Sequence, residues 1–323
     1  MASDSENLKS LATERQSAGD GRHVRGRKVD GVSDTSQPAY PRERLKALVA
    51  FLLACFTFTL NLITLTVVHD YTPRDSQLPD LMFVLIPYQE WAAVASEVIM
   101  VVCICQTLLL VLLHQYRWIL ARRFFVVHAL LYLLRALCLS VTVLPTSIVN
   151  NAVVCAPVAN HTNALLYFKR FASFLVNFQV TPHTLLCGDL LFSGHTVQMS
   201  VAWLMLCRYT PASWWPLRLG MLPLMALGLM CLVMSRGHYT VDVLVAYVLA
   251  TVVFTAYHLY TELPPSARRA SPIAVSCPVF CVSFGLPYWM ELNTQPMDVQ
   301  QNRFRWPWTK PEVIYKLVEK INR

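Results

Sequence analysis

Two short segments carry the residues able to do chemistry: Cys187-Gly188-Asp189-Leu190-Leu191-Phe192-Ser193-Gly194-His195-Thr196 and His238-Tyr239-Thr240-Val241-Asp242, each at the start of a long apolar run. Asp242 follows His238 by four residues, so once a helix has begun the two share one face and the carboxylate can accept the imidazole proton. Such a bond fixes the tautomer, leaves the other ring nitrogen free as a nucleophile, and stabilises the imidazolium that develops. The plainer reading is a histidine and an aspartate capping a wet helix end. His195 adds to the pattern because Ser193-Gly194 gives a hydrogen-bonding approach to a helix start, where backbone N–H groups favour an anion. A second histidine beside the first supplies a general acid for a leaving alkoxide and then a general base for an incoming hydroxyl. Two histidines and a carboxylate at one membrane surface can break and remake a phosphoester bond.

The elements that must position them are membrane spans. The chain is 323 residues long, 55% hydrophobic and only 14% charged, too apolar for an ordinary soluble domain of that size. An all-α, polytopic six-span bundle is expected, with spans near 46–68, 92–113, 124–144, 193–209, 217–235 and 240–261, since about 20 mostly apolar residues cross the hydrocarbon core. Residues 1–44 are polar and read as a disordered cytosolic tail without a signal peptide, 45–262 as the membrane catalytic domain, and 263–323 as a membrane-associated cytosolic segment.

Charge sets the orientation. Arg117, Arg122, Arg123, Arg208 and Arg218 flank one set of span ends, and the C-terminal segment is also basic, whereas the connection 69–91 holds Asp70, Asp75, Asp80 and Glu90. By the positive-inside rule both termini are cytosolic, and His195 and His238 face the exoplasmic or lumenal side. The +8 formal charge therefore serves topology and lipid headgroups, not nucleic acid. ATP is absent from that side, so a lipid donor is expected. The connection 145–192 also holds the sequon Asn160-His161-Thr162 and two cysteines, Cys155 and Cys187; an exoplasmic loop would permit a disulfide between them without requiring it.

Four further residues are candidates for the site. Arg135 sits within an apolar span, about nine residues or roughly 13 Å from its exoplasmic end, where a guanidinium either binds phosphate oxygens or bonds a carboxylate or carbonyl of another helix. Glu97, inside span two near the same face, is open to three roles: pairing with Arg135, orienting His195, or contacting a quaternary ammonium. Asp189 is an orienter or a loop charge, and Tyr239 is the aromatic best placed to meet a cationic headgroup.

These blocks resemble the sphingomyelin synthase family, which is similar in its two histidine motifs to the type 2 lipid phosphate phosphatases. The resemblance runs from about Leu78 to Tyr247, roughly half the chain: Leu78-Pro79-Asp80; Arg122-Arg123-Phe124-Phe125 with Leu131-Tyr132 and Arg135; Cys187-Gly188-Asp189 with Ser193-Gly194-His195-Thr196; and His238 to Val243 with Ala246-Tyr247. The last two blocks are the specific ones. The resemblance implies that His195, His238 and Asp242 form the catalytic triad of a phosphotransferase moving phosphocholine from phosphatidylcholine to ceramide through a phosphohistidine, with no metal or cofactor. It also implies a Golgi or plasma-membrane location and is compatible with a homo-oligomer. Alternatives are an ethanolamine or inositol phosphorylceramide synthase, and a lipid phosphate phosphatase. The chain departs from the soluble phosphatases in lacking their Lys-x6-Arg-Pro clamp, and Ser235-Arg236 precedes His238 too closely to match their last motif, so either another protein or another basic residue of this chain, with Arg135 the candidate, must replace the clamp.

Overall fold

Prolines set many of the helix ends. In the computed structural model, which describes residues 43–74, 77–149, 155–158, 169, 172, 186–264, 266 and 289–291, helix α1 (Arg44–Tyr71) stops at Thr72 before Pro73. The short α2 (Leu81–Leu85) stops at Ile86 before Pro87. After α3 (Trp91–Leu113) and α4 (Arg117–Val141) come α5 (Gly194–Tyr209), which stops at Thr210 before Pro211, α6 (Trp215–Met234), and α7 (Thr240–Glu262), which stops at Leu263 before Pro264. In all four cases the pre-proline residue is extended, because the pyrrolidine ring excludes it from the helical region. Pro216 sits in the first turn of α6, where its missing N–H leaves no helical bond unmade.

Among the described residues the protein is all-helical, and five helices (α1, α3, α4, α6 and α7) are long and apolar enough to cross a membrane. The fourth expected span, 193–209, is α5, whose 16 residues reach about 24 Å, short of a roughly 30 Å hydrocarbon core. Among the described residues, five of the six expected spans are thus helices of spanning length, while the stretch expected as the fourth is a shorter helix in their midst. Span three also begins earlier than expected, at Arg117, and ends at Val141, which puts Arg135 six residues from that end.

Helix α5 is the hub, touching α3, α4, α6 and α7, while α1 packs along α4. Its two sides feed two cores. Val197, Val201 and Met205 join Leu120, Leu131, Ala246 and Phe254 between α4 and α7; Met199 and Ala202 join Ile99, Cys103 and Met225 between α3 and α6. Close approach of α6 depends on Gly228, where a Cβ would lie 2.5 Å from Met199 Sδ.

The chain alternates in direction, so the starts of α3, α5 and α7 gather at one end with the end of α1. At the other end lie the starts of α1 and α4. There Arg122 and Arg123, expected in a cytosolic connection, are instead helical and buried, meeting Glu291 at 2.9 and 3.0 Å. Glu43 joins Arg122 at 2.5 Å, and Tyr257 donates to Glu291 at 3.0 Å. The arginines are tolerated inside the helix because carboxylates from both flanks of the membrane domain reach them. Residues 1–42, the sequon at Asn160, and nearly all of 263–323 lie outside the described residues.

Candidate active site

The local sequence explains how the two motif segments meet. Ser193 caps α5, its hydroxyl accepting the Thr196 N–H at 3.3 Å, and this places His195 in the first turn. Upstream, Cys187 forms a disulfide with Cys155, and the Cys187 N–H donates to buried His69 Nδ1 at 2.8 Å while His69 Nε2–H donates to the Ala156 carbonyl at 3.1 Å. Gly188 follows with φ +146°, and a Cβ there would lie 2.5 Å from Thr72 Oγ1, so only glycine lets the loop pass the end of α1.

Asp242 is fully buried and ties the segments together. One oxygen accepts the Tyr239 N–H at 2.9 Å, at the N-cap of its own helix; the other accepts the Leu191 N–H at 2.8 Å, in the His195 segment. Leu191 can present that N–H because it takes φ +72°, an uncommon conformation for a branched side chain. His238 Nδ1 lies 3.6 Å from Asp242 Oδ2, an ion-pair distance longer than a hydrogen bond, and has no hydrogen-bond partner. Such contacts commonly tighten only with substrate bound.

The second histidine has a carboxylate of its own. His195 Nε2–H donates to Glu97 Oε1 at 2.9 Å, the contact that the second of the three expected roles of Glu97, orienting His195, would make. The two imidazole rings stand 6.2 Å apart between centroids, inclined by 61°. Two rings at that separation, each with one nitrogen directed to a carboxylate, can address opposite sides of a tetrahedral phosphorus.

Arg135 is buried and donates to the Phe192 carbonyl at 2.8 Å, to Asn61 and to Asp189. Its guanidinium lies against Gly194, with Cζ 3.4 Å from where a Cβ would stand. Arg135 and Asp189 are thus brought together beneath the loop that enters α5, in the interhelical arrangement the sequence left open beside phosphate binding. Tyr239 adjoins the site but is 2% exposed: its hydroxyl accepts the Leu78 N–H at 2.9 Å and its ring stacks on Phe83.

Sequence reasoning missed two contributors. Asp80 accepts the Thr240 N–H at 2.7 Å and its hydroxyl at 2.9 Å, and the only signal was its place in the Leu78-Pro79-Asp80 block. Leu191 had no signal, because its part is played by the backbone.

Residues 186–259 match the family model described as PAP2 superfamily C-terminal, a stretch that contains both histidine segments. Phosphatidylcholine:ceramide cholinephosphotransferase 2 of Caenorhabditis elegans is 37% identical over 87% of this chain and 83% of its own length. The rat and human proteins of the same name are 34% and 32% identical, over 88% and 87% of this chain and 77% and 76% of theirs.

Proposed function

Because the chain belongs to the phosphatidylcholine:ceramide cholinephosphotransferase family, we propose that it is a sphingomyelin synthase, moving phosphocholine from phosphatidylcholine to the primary hydroxyl of ceramide and releasing diacylglycerol. The observation that carries this reading is the pair of imidazoles 6.2 Å apart, each backed by a separate carboxylate.

The reaction runs in two displacements. His238 Nε2 attacks phosphorus, its Nδ1–H held toward Asp242, and the bond to the glycerol oxygen breaks. His195, protonated and anchored through Nε2–H to Glu97, gives its Nδ1 proton to that oxygen, so diacylglycerol leaves neutral. Nδ1, now bare, takes the proton of the ceramide hydroxyl; the hydroxyl oxygen attacks the phosphohistidine, and the P–N bond breaks to yield sphingomyelin. Arg135 supplies positive charge beneath the α5 entrance and, with Asp189, fixes that loop; Tyr239 closes the His238 side. No metal or cofactor takes part.

The same reading takes α5 as a sixth crossing, since it starts at the same end as α7 and α6 must return between them. Arg44, Lys46, Arg117, Arg208 and Arg218 gather at the end opposite the triad, which supports a cytosolic face there and an exoplasmic or lumenal site, in the Golgi or plasma membrane. The membrane catalytic domain then spans 45–262.

The test is expression in cells that make no sphingomyelin, with fluorescent ceramide and defined phospholipid donors. A choline-containing ceramide product is expected. Ethanolamine or inositol products would reassign the headgroup, and free phosphate from lipid phosphates without a ceramide product would make the protein a phosphatase.

A further inference from the structure

Helix α7 carries the reacting pair at its start, yet its own sequence supplies little to cap it. The N-cap residue is Tyr239, whose oxygen is too far from its backbone to reach the first turn, and it is already occupied by Leu78 N–H. The first N–H groups of a helix need acceptors from somewhere. Asp242 takes the Tyr239 N–H. The Thr240 N–H is met from far away in sequence, by Asp80 Oδ2 at 2.7 Å, and the Thr240 hydroxyl donates to Asp80 Oδ1 at 2.9 Å. That same Oδ1 accepts the Met82 N–H at 2.9 Å and so caps α2. One carboxylate serves two helix starts, at the positive end of each.

Thr240 stands midway between His238 and Asp242. Whatever fixes its peptide fixes the register of the imidazole against the carboxylate, a contact that is 3.6 Å in this structure and must shorten for the pair to act. The neighbourhood of Asp80 grips the other flank of His238 as well. Arg236 Nη2 donates to the carbonyls of Phe83 and Ile86 at 2.6 and 2.9 Å, with its guanidinium 3.9 Å from the Phe83 ring centroid, and Gln89 N–H donates to the Met234 carbonyl at 3.1 Å. Phe83 in turn stacks on Tyr239 at 5.5 Å. Residues 78–89 therefore hold the chain on both sides of His238 while none of these bonds is made to its ring.

We propose that Asp80 is a positioning residue of the transferase, setting the His238–Asp242 geometry by holding the Thr240 peptide and hydroxyl. This rests on the phosphotransfer reading above. A reacting group displaced by about 1 Å loses on the order of 100-fold in rate without losing substrate binding, so the signature is a fall in kcat at unchanged KM.

The experiment uses the full-length protein in detergent–lipid micelles with phosphatidylcholine and fluorescent ceramide. Asp80→Ala is expected to lower kcat by about 30-fold to 100-fold with KM for ceramide within about twofold. Asp80→Asn, which keeps one acceptor oxygen, should fall between it and wild type; Thr240→Val should lose less, and Thr240→Ser should stay near wild type. Because both side chains act through one contact, Asp80→Ala/Thr240→Val should be no slower than Asp80→Ala alone. Formation of the Cys155–Cys187 disulfide, seen by mobility without reductant, reports folding independently; if Asp80→Ala does not fold, the Thr240→Val and Thr240→Ser pair decides. Multiplicative losses in the double variant, an equal rise in KM, or full activity in Asp80→Ala would overturn the proposal. A wild-type protein that makes no phosphoceramide product would overturn the phosphotransfer reading instead.

Discussion

At the residue scale, each histidine has a carboxylate placed for a different purpose, and substitution should separate them. His238→Ala should abolish transfer and any trapped phosphoenzyme, since no other group stands where it can attack; activity in that variant would end the nucleophile assignment. Asp242→Asn should reduce kcat by about 10²–10⁴-fold. The amide can still accept the Leu191 N–H, but it then turns an NH2 toward the Tyr239 N–H, so both the His238 tautomer and the cap of α7 suffer. Glu97→Gln keeps an oxygen for His195 Nε2–H and removes the charge that favours the imidazolium. A loss of up to about 100-fold in kcat is expected, and near-normal turnover at normal protein level would take Glu97 out of the site.

At the scale of elements, the buried cluster around Glu291 joins the starts of α1 and α4 and the ends of α5 and α7 to the C-terminal segment. Removing the shared carboxylate leaves buried Arg123 without its carboxylate while Arg122 keeps Glu43, so Glu291→Ala should destabilise the protein by about 3–5 kcal/mol. Thermal unfolding in detergent measures this, and kcat per folded molecule should not change, because the triad sits at the other end of the bundle. Burial alone would raise the Glu291 pKa, but the two guanidinium groups outweigh it and hold it at about 2, below its ordinary 4.5. A depressed carboxylate contributes stability that is complete above its unfolded pKa and lost as pH falls through the folded one. The wild type should therefore lose stability between about pH 4.5 and 2, and Glu291→Gln should lack that component; an identical acid limb in the two proteins would refute it.

At the scale of the whole molecule, the site is assembled by cross-links between distant parts of the chain. The disulfide closes a separation of 32 residues and contributes about 3–4 kcal/mol on the chain-entropy account. His69 of α1 hydrogen-bonds both arms of this bridge, at Cys187 and at Ala156, beside the loop that leads into His195. Cys155→Ser/Cys187→Ser should thus lower both the unfolding temperature and kcat, and reductant should affect wild type but not the double variant. Equal sensitivity to reductant would show that the bond has no part in activity. The bundle's topology predicts tags at both ends accessible from one side of the membrane, the side opposite the triad.

What the sequence determined by itself was whatever depends on local pattern. Apolar runs placed five of the six expected stretches to within three residues at each end, and the motif brought His238 and Asp242 to one helix entrance, although His238 stands just ahead of the N-cap Tyr239 and not on a shared helical face. The His195 segment was legible because Ser193-Gly194 is a helix-entry signal, and family resemblance then gave those residues a chemistry. Span three was misplaced at its start for a physical reason: Arg122 and Arg123 look like loop charges until Glu291, 168 residues from Arg123, is seen to neutralise them. The same holds for Arg135 with Asp189, Glu97 with His195, and Asp80 with Thr240. Each pairing depends on which helices are neighbours and how they are rotated, quantities that no single segment encodes. Leu191 is the limiting case, since its contribution is an N–H aimed by a positive φ. Residue types reveal which side chains can react; only the packing of α3, α5 and α7 at one end of the bundle decides which of them meet.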